Sequence, residues 1–145
     1  MPSALIPCLR YADAPAAIAW LVKAFGFEIR MVVPDEQGGI AHAQLIWRDA
    51  KRGDAMVMLS SSEPLGEFGA LIVQPIACES RSTQTPYLIV DAVDAHHGRA
   101  VEAGAEIVMP LVDQDYGGRG YSCRDLEGHL WNFGSYDPWA DETEA

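Results

Sequence analysis

Cysteine is scarce in this sequence of 145 residues, and basic residues are few, with 10 Lys and Arg against 21 Asp and Glu. The three cysteines, Cys8, Cys78 and Cys123, contain no Cys-x-x-Cys pair, and an odd number argues against a disulfide framework or a thiolate zinc site. We expect small thiols, buried or half-buried. The net charge of −11 excludes nucleic acid and anionic membrane surfaces as expected partners, because both bind basic patches.

Long apolar runs are also missing. The first ten residues do not combine a basic segment with an apolar one, so no secretory signal is predicted. No stretch approaches the length of roughly 20 apolar residues that a membrane helix needs. We therefore expect a cytoplasmic protein, with an acidic tail over residues 137–145.

The first half of the chain, about residues 4–60, has the order strand, helix, then three strands. Asp13 is a suitable N-cap for a segment with apolar residues at helical spacing, and Pro15 suits its first turn. Gly26 provides the left-handed stop. Apolar segments between turn residues predict strands at 5–11, 27–33, 40–47 and 55–59.

The second half, about residues 85–136, repeats this order after a linker over residues 61–84. Six identities align the halves at a constant offset of 78, including Asp13 with Asp91 and Gly26 with Gly104. We therefore predict one domain of the α+β class over residues 1–145. Its two tandem βαβββ modules are expected to form a curved mixed sheet around a cleft, with the helices on the convex side.

Two segments resemble a known superfamily. LRYADAPAAIAWLVKAFGFE, residues 9–28, is similar to the opening strand and helix of the glyoxalase, bleomycin-resistance and extradiol-dioxygenase proteins, which share the vicinal oxygen chelate fold. YGGRGYSCRDLEGHLWNFGSYDPW, residues 116–139, is similar to their closing strands, with Leu126 where the usual turn has Pro. The resemblance covers roughly residues 5–136. It implies a fold rather than one activity, since the superfamily includes lyases, isomerases, dioxygenases, thiol transferases and drug-binding proteins.

The resemblance also implies four metal-ligand positions, which fall on Ile6, Met58, Thr85 and Asn132. None of these residues is His, Glu, Asp or Cys, and the thioether of Met58 suits copper better than magnesium, zinc or iron. We therefore predict that the chain lacks the metal site of the superfamily and uses no cofactor.

Strand alternation adds further candidate ligand-binding residues. His42 and Gln44 share one strand face, which either lines the cleft or is an exposed polar face. Arg10 lies on the same face as Cys8, where a guanidinium pairs either with an anionic ligand or with a carboxylate at the protein surface. With the positions that the resemblance supplies, the candidate set is Arg10, His42, Gln44, Met58, Arg119, Tyr121 and Asn132.

Other conspicuous side chains are expected to be structural. Trp131 and Phe133 alternate with Asn132 and should pack under a helix. His129 should make a structural hydrogen bond. Of the adjacent His96 and His97, one should face the sheet and the other solvent.

Two functions of different classes agree with this pattern. One is a metal-free protein of the drug-sequestering type, which binds a small organic molecule in the cleft. The other is a lyase or isomerase of the glyoxalase type with an atypical site, in which His42 acts as general base. The absence of metal ligands favours the binding protein. We also expect a homodimer, as the resemblance implies.

Overall fold

The computed structural model describes residues 1–64 and 66–140, and both predicted modules are present in it. The strands of the first module are β1 Cys8–Tyr11, β2 Glu28–Pro34, β3 Ile40–Trp47 and β4 Ala55–Ser61, with helix α1 at Ala14–Phe25. Those of the second are β5 Tyr87–Ile89, β6 Glu106–Asp113, β7 Arg119–Arg124 and β8 Leu130–Gly134, with helix α3 at Val93–Glu102. The linker contains the short helix α2, Gly66–Gly69, and a 3-10 helix, Pro75–Cys78.

Each module forms its own four-stranded mixed sheet. Sheet A has the order β1-β4-β3-β2, and sheet B has the corresponding order β5-β8-β7-β6. The α+β class and the two-module architecture are thus confirmed, but no ladder among the described residues joins the two sheets into one. In each sheet, the first strand lies parallel to the last and the other neighbours are antiparallel. The face of each sheet opposite its helix is called its open face below.

Helix α1 has the predicted ends. The Asp13 carboxylate accepts a hydrogen bond from the Ala16 amide at 3.1 Å, which satisfies one of the unpaired amides of the first turn. At the other end, Gly26 adopts φ 87° and donates its amide hydrogen to the Val22 carbonyl. A residue with a side chain is strained at this positive φ, so the glycine is required there.

The two helices pack against each other in one core that both modules share. Phe25 of α1 lies 5.2 Å from Trp131 and 4.6 Å from Phe133 of sheet B, measured between ring centroids. Trp131 and Phe133 are buried, as predicted, and so are Leu21 and Leu45 of the first module. Burial of these side chains is the main favourable term in joining the modules.

The turn between β7 and β8 holds the junction of β1 and α1. The carboxylate of Glu127 accepts hydrogen bonds from the amides of Ala12 and Asp13. His129 Nε2 donates to the Arg10 carbonyl at 2.8 Å, which confirms its structural role. Buried Asp125 accepts from the Tyr11 hydroxyl at 2.6 Å, and burial, with this carboxylate beside it, raises the pKa of Tyr11 well above its usual value.

The corresponding turn of the first module holds the second module through charge. Arg52, on the turn between β3 and β4, pairs with Asp49, with Asp91 before α3, and with Asp137 near the end of the chain. The predicted acidic tail therefore begins with a residue that is bound to the domain. The rest of that tail, residues 141–145, lies outside the described residues.

Two further expectations concern exposure. Cys123 is buried and Cys78 is half-buried, but Cys8 is exposed, because it lies at the start of an edge strand and on the open face. Within the described ranges, no helix combines the length and the apolar character that crossing a membrane requires.

Candidate functional site

The open face of sheet A carries part of the predicted site. Cys8 is in register with Met58, Met58 with Gln44, and Gln44 with Met31, so these four side chains form one row across the sheet. Val57 and Leu59 are buried on the other face, as the alternation of a strand requires. The register predicted for β4, with Met58 on the open face, is therefore right.

Three predicted polar residues belong to the same face. His42 Nε2 lies 3.0 Å from Gln44 Nε2, so the histidine ring and the amide engage each other. Arg10 is in register with Ser60, and its guanidinium donates to the Ser61 carbonyl at 3.0 Å. The Arg10 side chain is half-buried and fixed along the strand, rather than extended into bulk water.

The open face of sheet B forms a cavity of about 470 Å³, a size typical of small-molecule sites. Tyr87, Met109 and Val112 supply apolar walls, and all three are more than one-third exposed. Thr85, Ser122 and Asn132 supply polar groups. The cavity is thus mainly apolar with a few fixed polar atoms.

A hydrogen-bonded chain crosses the floor of this cavity. The Ser122 hydroxyl donates to Asn132 Oδ1 at 2.6 Å, and Asn132 Nδ2 donates to Thr85 Oγ1 at 2.8 Å and to the Pro86 carbonyl at 3.0 Å. Asn132 is in register with both Tyr87 and Ser122. The predicted neighbours Thr85 and Asn132 are therefore in contact, as the sequence reasoning implied.

Tyrosines surround one end of the cavity. The Tyr87 hydroxyl donates to the Tyr136 carbonyl at 2.7 Å, and the rings of Tyr116 and Tyr136 lie 5.0 Å apart. Burial, with smaller contributions from the neighbouring Tyr116 and Asp137, raises the pKa of Tyr87 to about 12. The Tyr87 hydroxyl is thus protonated at neutral pH and acts as a hydrogen-bond donor.

Tyr121 and Arg119 are among the residues that line this cavity, but the protein itself binds their polar groups. The Tyr121 ring is only 3% exposed and lies in the core, where its hydroxyl contacts His96 Nδ1 at 2.7 Å. Arg119 Nε pairs with Asp94 of α3 at 2.9 Å, and its Nη1 pairs with Asp113. Both side chains belong to the helix side because they share strand parity with buried Cys123.

The predicted residues therefore fall into two groups. Arg10, His42, Gln44 and Met58 lie on the open face of sheet A, whereas Asn132, Tyr121 and Arg119 line the cavity of sheet B. Sequence reasoning did not include Tyr87, Met109 and Ser122 in the site. Alternation with core residues Tyr121 and Cys123 marks Ser122 as open-facing, and the register with Asn132 then identifies Tyr87.

The metal-ligand positions of the superfamily do not suit a divalent ion in this chain. Both polar atoms of the Asn132 amide already bind protein partners, and Met58 offers only a thioether. Over residues 1–64 and 66–140, no three or more His, Cys, Asp or Glu side chains are grouped closely enough to hold a metal ion.

A second groove of about 610 Å³ lies between the modules on the helix side. Its charged walls include Arg48 and Arg52, which already pair with carboxylates of the protein. At its floor, both ring nitrogens of His96 are occupied by Tyr121 and the Phe25 carbonyl. The charged and polar groups of Arg48, Arg52 and His96 are therefore already bound by the protein and are not free for a ligand.

Comparisons with known proteins agree with this architecture. The family model described as Glyoxalase/Bleomycin resistance protein/Dioxygenase superfamily matches residues 5–133. A Mycobacterium bovis protein described as uncharacterized, Mb0911c, is 35% identical over 131 residues, which cover 90% of this chain and 82% of that protein. The crystal structure of TioX from Micromonospora sp. ML1 is 34% identical, with a TM-score of 0.65, over 91% of this chain and 97% of TioX.

A more distant structure shows the same fold. A glyoxalase/bleomycin resistance protein from Streptomyces sp. CB03234 superposes with a TM-score of 0.61 at 19% identity, over 91% of this chain and 99% of that one.

Proposed function

Because the chain belongs to the glyoxalase/bleomycin resistance protein/dioxygenase superfamily, we propose that it is a cytoplasmic protein that binds a small organic molecule without a metal ion. The observation that carries this proposal is the cavity on the open face of sheet B. Its volume of about 470 Å³ and its lining of tyrosines, Met109 and Val112 suit a molecule of metabolite or drug size. Nucleic acid is not proposed as a partner, given the net charge of −11.

We favour binding over lyase or isomerase chemistry because the polar groups of the site are already hydrogen-bonded within the protein. Superfamily enzymes of the lyase type need a metal or an acid–base pair near the reacting atoms. Here the Asn132 amide is engaged by protein partners, and His42 is engaged by Gln44. No second titratable group is hydrogen-bonded to His42 in the described part of the chain.

The proposed assembly is a homodimer in which each open face of sheet B is covered by the open face of sheet A from the partner copy. Met31 and Val33 are exposed on sheet A, and Tyr87, Met109 and Val112 on sheet B. Exposed apolar surface of this kind is typical of an interaction site. A two-fold axis would form two equivalent enclosed sites, because if sheet A of one copy covers sheet B of its partner, then sheet A of the partner also covers sheet B of the first copy.

The test is a saturation-transfer NMR screen of planar aromatic fragments, followed by titration of each hit into ¹⁵N-labelled protein. We expect the amide shifts to concentrate on β5, β7 and β8, and to persist in the presence of EDTA. Met109→Asp, which places a charge on the cavity wall, should weaken each hit at least about tenfold. Val101→Asp on the exposed side of α3 is the matched control and should leave binding unchanged.

Shifts confined to the groove between the modules would contradict the proposed site. Binding that disappears on addition of EDTA would contradict a metal-free mode. Turnover of a fragment hit, detected as new resonances over time, would instead support the lyase or isomerase alternative.

A further inference from the structure

The orientation of the Asn132 amide can be assigned from its surroundings. The Pro86 carbonyl can only accept a hydrogen bond, so the amide atom 3.0 Å from it must be the nitrogen. The other amide atom, which lies 2.6 Å from the Ser122 hydroxyl, is therefore the oxygen. This assignment rests on the hydrogen-bond partners, which are the means of distinguishing oxygen from nitrogen in a side-chain amide.

The amide in turn fixes the direction of two hydroxyl groups. Asn132 Oδ1 can only accept, so Ser122 uses its hydrogen there and keeps lone pairs for another donor. Asn132 Nδ2 donates to Thr85 Oγ1, so the Thr85 hydroxyl keeps its hydrogen. Within residues 1–64 and 66–140, that hydrogen has no protein acceptor in hydrogen-bond range. The cavity floor thus offers one acceptor, Ser122, and one donor, Thr85.

We infer that this cavity recognises an uncharged amide group, such as a carboxamide or a lactam; the inference rests on the proposed binding function. Ser122 and Thr85 flank the Asn132 amide, so a ligand amide lying over it in the opposite direction meets both hydroxyls. Its carbonyl accepts from Thr85, and its N–H donates to Ser122. A carboxylate or ketone lacks that donor. Asn132 is then a positioning residue, while Ser122 and Thr85 contact the ligand.

The experiment compares benzamide with acetophenone, which has a methyl group in place of the amide nitrogen and keeps the ring and the carbonyl. Dissociation constants are measured by ¹⁵N chemical-shift titration of the full chain. Ser122→Ala should lower the ratio of benzamide affinity to acetophenone affinity roughly 2- to 10-fold, the value of one neutral hydrogen bond. The two probes differ in hydrophobicity, but this difference is the same for the wild-type protein and the variant, so it cancels when their affinity ratios are compared.

Thr85→Val should weaken both probes by a similar factor and leave the ratio unchanged, since both probes have the carbonyl. Thr83→Val, an exposed substitution in the linker, is the matched control and should change neither affinity. The backbone spectrum of each variant shows whether it is folded.

The outcomes distinguish recognition of an amide group from the binding function itself. If both probes bind in the cavity but Ser122→Ala leaves their ratio unchanged, the amide assignment is wrong and the binding function stands. If neither probe nor any other fragment shifts resonances of β5, β7 or β8, both are wrong.

Discussion

At the scale of single residues, His96 shows how packing fixes a protonation state. The Phe25 carbonyl can only accept, so His96 Nε2, at 2.9 Å, carries the ring hydrogen, and Nδ1 accepts from the Tyr121 hydroxyl. Burial, with smaller contributions from Arg99 and His97, lowers the pKa of His96 to about 4. The ring is therefore neutral in the folded protein at physiological pH. His96 is buried, as predicted for one of the two adjacent histidines, whereas His97 is half-buried with its ring 4.8 Å from the Tyr121 ring instead of in solvent.

This depressed pKa predicts a loss of stability in weak acid. An unfolded histidine takes up a proton near pH 6.5, whereas folded His96 does so near pH 4. Between these values the unfolded state binds more protons, so the free energy of unfolding should fall as the pH is lowered through this window, by at most about 3 kcal/mol. Urea denaturation at a series of pH values measures the slope.

The matched variants are His96→Gln and His97→Gln. His96→Gln should reduce the slope between pH 6.5 and 4, in addition to lowering the stability at all pH values. His97→Gln should keep most of the slope of the parent protein. An equal slope in all three proteins would contradict the assignment to His96.

The donor set at the metal-ligand positions predicts the metal content. Since Met58 and the engaged Asn132 amide are poor ligands for magnesium, zinc, nickel or iron, elemental analysis after dialysis should find well under one equivalent of each. About one equivalent of any of these metals would show that the chain binds metal through another set of residues.

At the scale of elements, the ends of α1 are held by the second module. Glu127 accepts hydrogen bonds from the Ala12 and Asp13 amides, and Arg99 of α3 donates to the carbonyls of Val22 and Lys23. A carboxylate at a helix start and a cation at its end also interact favourably with the helix dipole. The same side chains therefore terminate a helix and join two modules.

Glu127→Ala should lower the free energy of unfolding by about 1 kcal/mol, the typical value of a lost capping interaction. Thermal and urea unfolding measure the change. Glu36→Ala is the control, because Glu36 is exposed in the turn between β2 and β3. Equal stability of the two variants would show that the Glu127 contact is negligible in solution.

Replacing Arg52 should lower the free energy of unfolding more than replacing Arg48. Its side chain is 17% exposed and pairs with three carboxylates, whereas the Arg48 side chain is 63% exposed and pairs with two. Removing Arg52 leaves three acidic groups close together, so Arg52→Met should cost roughly 1–3 kcal/mol. Arg48→Met should cost less than about 1 kcal/mol. The unfolding free energies of both variants check this order.

The elements could be predicted from sequence because their signals are local. Asp13 and Gly26 mark the ends of α1, and the alternation of Trp131, Asn132 and Phe133 gives the correct faces of β8. Strand alternation places Tyr121, Arg119 and Cys123 on one face of β7, but the groups that bind the first two side chains, His96 and Asp94, lie on α3 and are distant in sequence. The division of the site between two sheets likewise follows from how the helices pack, which no local pattern specifies.

At the scale of the whole molecule, the open faces predict the oligomeric state. Light scattering should give about twice the chain mass of 15.8 kDa at micromolar concentration. Met31→Lys should shift the protein towards a monomer, because a charge would then enter the contact between the faces. Val101→Lys on α3 is the control. A wild-type protein that is monomeric at this concentration would contradict the proposed assembly.

The shared core has a consequence for the independence of the two modules. Phe25 of the first module packs against Trp131 and Phe133 of the second, and Trp20 donates its indole hydrogen to the Ala103 carbonyl of α3. Either module on its own would expose these aromatic side chains to water. Each module thus depends on the other to bury its part of the shared core. The 78-residue repeat is a repeat of architecture, and its two units form one folding unit instead of two stable halves.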